Sequence, residues 1–128
     1  MFISSYLNVQ LLNATLRNTA YTPVTPLYVA LYTSNPGPTN TGVEVTGGAY
    51  ARQTITFGAP ASNITLNTNL ITFPTPLAPW GTVGWAAIFD ASTGGNLLYY
   101  FPLTVSFIIG IGVILNFAVG SISGKFDV

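Results

Sequence analysis

The sequence predicts an all-β protein: an antiparallel β-sandwich of jelly-roll type, with about seven or eight strands and one short N-terminal α-helix. Three observations carry this expectation. Runs rich in Val, Ile, Tyr, Phe and Thr recur at strand length, separated by Gly, Pro and Asn clusters that favour turns. The stretch Trp80 to Pro102, WGTVGWAAIFDASTGGNLLYYFP, sets two apolar runs around a Gly-Gly break, the pattern of a hairpin at the centre of the core. No helix-strand alternation or internal repeat points to an α/β architecture. At 128 residues one domain is expected over 1–128, with residues 1–22 as an N-terminal helical arm and 23–128 as the sandwich.

Taken in order, Ser4 or Ser5 caps a helix over Tyr6 to Asn18, which Tyr21-Thr22-Pro23 ends. Leu7, Leu11 and Ala14 share one face, with Leu12 and Leu16 beside it. That face packs on the chain's own sheet, or it docks on a neighbouring subunit. Thr25 to Thr33 alternates as a strand with both faces at least partly covered, and Pro26 is tolerated at its start. Ser34 to Gly48 is a loop by composition and carries Glu44. Tyr50 to Phe57 is an alternating strand holding Arg52, and Gly58 to Asn63 is a turn. Ile64 to Phe73 is one bent strand or two short ones about Asn67-Thr68-Asn69. Pro74, Pro76 and Pro79 stiffen the linker into Trp80. Beyond the central hairpin, Leu103 to Ile109 and Val113 to Val119 read as a second hairpin about Gly110-Ile111-Gly112. Ser121 to Val128 closes the sandwich as a last strand.

Composition then narrows what the chain can do. Only 5% of residues are charged, namely Arg17, Glu44, Arg52, Asp90, Lys125 and Asp127, and their charges cancel. An ordinary soluble domain carries ~25%. A surface with so little charge is expected to be covered by other protein, and the cation count argues against nucleic acid. The opening MFISSYLNVQ lacks the basic start and long apolar run of a secretory signal, so synthesis in a cytoplasm is expected. Leu97 to Gly124 is uncharged, but Pro102, Ser106, Gly110, Gly112 and Asn116 interrupt it short of the ~20 residues of a spanning helix. No membrane span is expected.

Catalysis has little to work with. Without cysteine or histidine there is no thiolate, no imidazole base and no ordinary transition-metal ligand set. The carboxylates are Glu44, Asp90 and Asp127. Two acids could serve glycoside hydrolysis, yet Asp90 stands where an Asp commonly starts a turn. No catalytic residue, no cofactor and no metal site is expected. Arg52 reads as half of a structural ion pair with Glu44 or Asp90, the use for which a guanidinium fork is suited. The apolar tip is the first candidate for a buried subunit contact, through Phe107, Ile108, Ile109, Ile111 and Val113, since hairpin tips are normally polar. Leu7 and Leu11 of the helix and Glu44 of the long loop are further interface candidates.

The segments YVALYTSNPGP, GGAYARQTITFGAP, ITFPTPLAPWGTVGWAAIFDASTGGNLLYYFPLT and the closing FAVGSI together resemble small tailed-bacteriophage virion proteins, of tail-fibre, minor-tail or head-decoration type. The resemblance runs from Pro26 onward and is most specific at Ala49-Tyr50-Ala51-Arg52 and from Trp80-Gly81-Thr82-Val83 to Asn96-Leu97. The chain departs from the pattern at Phe107-Ile108-Ile109-Gly110-Ile111, where similar proteins carry polar and acidic residues. The resemblance implies a non-enzymatic virion component. The expectation taken from it is a capsid decoration (cement) protein on the outside of the shell, bridging capsomers of major capsid protein as a homo-oligomer, plausibly a trimer. The alternative is a small tail or tail-fibre component that binds a host surface glycan or a neighbouring tail protein.

Overall fold

The fold was obtained as a computed structural model that describes residues 1–126. Its elements follow the chain as β1 (Phe2–Ile3), α1 (Ser5–Leu16), β2 (Leu27–Tyr32), β3 (Gln53–Ile55), β4 (Ile64–Leu66), β5 (Ile71–Thr72), β6 (Gly81–Phe89), β7 (Leu97–Ile109), β8 (Asn116–Phe117) and β9 (Ser123–Lys125). The class is all-β, antiparallel and sandwich-like, with one short helix. Asp127 and the end of the expected closing strand lie outside the described residues. No helix among the described residues is long and apolar enough to cross a membrane.

One five-stranded sheet, in the order β1-β7-β6-β2-β3, forms the larger layer. The hairpin β6–β7 is its centre, so the two apolar runs around the Gly-Gly break do pair, from Phe89 opposite Leu97 to Gly81 opposite Ile109. Alternation divides the sheet into two faces. On one, Val29 and Leu31 of β2 lie beside Ile88 and Ala86 of β6, and all four are buried. This face packs on a second layer of two ribbons, β4–β9 and β5–β8, through Ile71, Phe73, Leu115 and Ile122. Each such fully buried side chain contributes about 1.5–3 kcal/mol relative to exposure. On the other face Ala30, Tyr32, Ala87, Phe89, Leu97 and Tyr100 form a second cluster.

Several expectations are corrected. The helix stops at Leu16, before Pro23 is reached, because Asn18 adopts a left-handed conformation (φ 52°) and returns the Thr19 N–H to Asn13 O at 3.0 Å. Its other end is capped by Ser4, whose Oγ accepts from Leu7 N–H at 3.1 Å. The segment before it joins the sheet, with Phe2 and Ile3 paired to Tyr100 and Tyr99 of β7. The expected strand over Tyr50 to Phe57 is regular only at β3, whereas for Ile64 to Phe73 the second of the two expected arrangements holds: two short strands, each in a different ribbon.

The second hairpin does not form. Leu103 to Ile109 continues β7, and its end, Phe107 to Ile109, is already paired with Val83 to Gly81 of β6. Pro102 does not end that strand, because it sits opposite Trp85 beside an irregularity where two steps of β6 answer five of β7. After the turn at Gly110 to Val113, the chain passes into the second layer instead, where Leu115 O accepts from Phe73 N–H at 3.0 Å and its side chain joins the core.

Candidate assembly interface

The C-terminal half of β7 and the turn after it carry the most concentrated exposed apolar surface. Val105, Phe107, Ile108, Ile111, Val113 and Ile114 are each 42–80% exposed. Phe107 and Ile108, being adjacent on a strand, point to opposite faces of the sheet. Beside them runs a groove of about 480 Å³, between Phe101, Leu103, Val105 and Phe107 of β7 and the segment holding Phe117 and Ile122. No charged side chain lines it.

Some candidates leave this surface. Ile109 lies opposite Gly81 and is buried in the chain's own core, and Leu7 is buried where α1 meets the fold. Neither can bury further apolar area against a partner. Leu11 is half-buried. Val105 was not among the sequence candidates; the signal that could have found it is the period-two spacing Leu103, Val105, Phe107, which puts all three in the groove.

Glu44 faces inward, into a polar cluster that ties three loops together. It pairs with Tyr32 in an isolated bridge, which turns its carboxylate toward Arg52. Arg52 Nε donates to Glu44 Oε1 at 2.8 Å and Nη2 to Oε2 at 2.9 Å, a forked ion pair. Arg52 Nη1 donates to Ala91 O at 3.0 Å and Gly94 O at 2.8 Å, clamping the hairpin turn. The guanidinium stands 3.7 Å from the centre of the Phe89 ring. Burial works against the Arg52 charge, but Glu44 above all, with Tyr50 and Tyr32 adding to it, holds its pKa above the usual value.

Tyr50 completes the cluster, a role its place in an alternating strand did not reveal. Its hydroxyl donates to Glu44 Oε1 and accepts from Leu31 N–H, both at 2.9 Å. It thereby satisfies the β2 edge where β3 has ended. Burial, with Glu44 adding to it, holds the Tyr50 phenol far above its ordinary range. Burial also pushes Tyr32 up to about 12, while its hydroxyl donates to Asn40 Oδ1 at 2.7 Å.

Asp90 does not join Arg52. Its two carboxylate oxygens accept from the backbone N–H and side-chain amide of Asn96, at 2.7 and 2.8 Å, closing the turn of the central hairpin. Gly95 makes that turn possible: its φ is +71°, and a Cβ there would stand 2.6 Å from Asp90 Oδ1. Both described carboxylates are therefore committed to holding loops. Among the described residues no cluster of acidic side chains could hold a metal ion.

A family model described as podophage GP4 fiber I protein gp80 matches residues 2–125. The chain belongs to that family. No curated protein matches it. Membership makes it a structural protein of a phage virion, which agrees with the resemblance read from the sequence. Within that resemblance, the fibre description supports the tail-fibre alternative rather than the capsid decoration role first expected. In this chain the Arg52 cluster holds the loops in place, while the β7 rim stays exposed.

Proposed function

We propose that this chain is a non-enzymatic building block of a podophage tail fibre, held to neighbouring fibre or tail protein through uncharged apolar surface. The observation that carries the reading is the fibre-family match over residues 2–125. The surface supports it physically. Exposed Val105, Ile108, Ile111 and Ile114 would be costly to leave in water on a free protein, and no net charge keeps copies apart. A neighbouring protein is favoured over a host glycan as the partner, because the rim is mainly aliphatic. Trp80 is buried and Trp85 half-buried, so the rings best suited to stacking on sugars are used inside the fold. A non-enzymatic role fits the engagement of Glu44 by Arg52 and of Asp90 by Asn96.

Fractionation of purified particles into heads and tails, followed by immunoblotting for this chain, tests the proposal. The chain is expected in the tail fraction. Recovery with emptied heads would instead favour the decoration role and the major capsid protein as partner.

A further inference from the structure

The two outer edges of the five-stranded sheet are treated differently. At the β3 edge, the Asn69 side chain accepts from Thr56 N–H and donates to Thr54 O, both at 3.0 Å, and Thr68 N–H reaches Thr56 O at 2.8 Å. That edge is closed from within. At the β7 edge, β1 pairs only with Tyr99 and Tyr100. From Phe101 to Ile109 no described strand pairs with β7 on the side away from β6.

Long apolar edges are templates for further pairing, and proteins that stay monomeric blunt them with Lys, Pro, bulges or a covering loop. Here Pro102 and the irregularity between Pro102 and Phe107 bend the edge without closing it, and no Lys, Arg, Asp or Glu occurs between Asp90 and Lys125. Resting on the fibre reading above, we propose that the open edge of β7, over Leu103 to Ile109, pairs antiparallel with the same edge of a second copy of this chain. The two copies are related by a two-fold axis, and the five-stranded sheets join into one. Three features select this occupant. The complement of a charge-free apolar edge is another of the same kind, and this chain supplies one. Its β3 edge is closed, so a head-to-tail arrangement along the sheet has no acceptor, whereas an edge meeting itself closes as a dimer. Exposed Val105 and Phe107 on one face and Ile108 on the other give both faces of the joined sheet apolar side chains that meet their counterparts across the two-fold axis. Side chains of the incoming strand fall along the groove beside Leu103, Val105 and Phe107, as in strand addition generally.

The test is the solution mass of the recombinant full chain by light scattering at micromolar concentration, beside Val105→Lys and Ile108→Lys. Both positions are more than half exposed, so the variants are expected to keep the wild-type circular dichroism. Wild type is expected as a dimer and each variant as a monomer. Amide exchange over Leu103 to Ile109 is expected to quicken at least tenfold in the variants relative to wild type. A monomeric wild type, a trimer, or folded variants that keep the wild-type mass each overturn the proposal. None of those results touches the fibre reading, which the head and tail fractions decide separately.

Discussion

Arg52→Ala is expected to cost about 3 kcal/mol of folding stability. The side chain is 7% exposed and makes four hydrogen bonds, two to Glu44 and two to the carbonyls of Ala91 and Gly94. Removing one partner of a buried ion pair costs ~3–5 kcal/mol, because the other charge is left desolvated. The lower end applies, since the Glu44 side chain keeps 23% exposure and the Tyr50 hydroxyl. In a chain of 128 residues this lowers Tm by about 10 °C. Glu44→Gln keeps the shape and is expected to cost about 1–2 kcal/mol alone. In the Arg52→Ala background it should cost almost nothing, because the charge it removes is by then unpaired. Thermal denaturation of the wild type, both single variants and the double variant gives the coupling directly. A Tm change below ~3 °C for Arg52→Ala, or strict additivity of the pair, would refute the reasoning. Arg52→Lys separates charge from geometry: lacking the fork, it is expected to lose most of the same stability.

Other outcomes follow from the same contacts. Asn67→Ala is expected to cost about 2–4 kcal/mol in urea denaturation. The buried Asn67 side chain donates to Asn69 O and Ala118 O and accepts from Ile122 N–H, holding the two ribbons together. Gly95→Ala is expected to cost about 2 kcal/mol, measured the same way, since the left-handed backbone and the contact with Asp90 both oppose a Cβ. Stability is also expected to fall under alkali. Tyr32 ionises at 10.0 when unfolded and at about 12 when folded, so its contribution is complete below pH 10.0 and is lost as pH rises toward 12. Denaturation midpoints across that window, with phenolate absorbance, check this; a midpoint that rises with pH would contradict it.

The parts of the fold legible in the sequence were those set by local chemistry. The Gly-Gly break and the Asp90 turn announced the central hairpin, and the period-two apolar runs announced the sheet. What was lost depended on distant partners. Leu103 to Ile109 and Val113 to Val119 look like a hairpin because two apolar runs flank a Gly turn. Only the length of β6 reveals that the first run is already paired. Exposure was legible for Phe107, Ile108, Ile111 and Val113 but not for Ile109, whose neighbour Gly81 lies far away in sequence. Asn67 reads as part of a bend and Tyr50 as a strand residue, and their work as pins is visible only once Ile122 and Leu31 are brought beside them.

A density map of the intact particle, at a resolution that traces strands, tests the central claim most directly: that this fold serves a tail fibre by covering its uncharged rim with protein. The account predicts the chain in a tail fibre, with Val105 to Ile114 buried against a neighbouring chain. Density for the chain over the capsid shell, or a fibre in which that rim faces solvent, would contradict it.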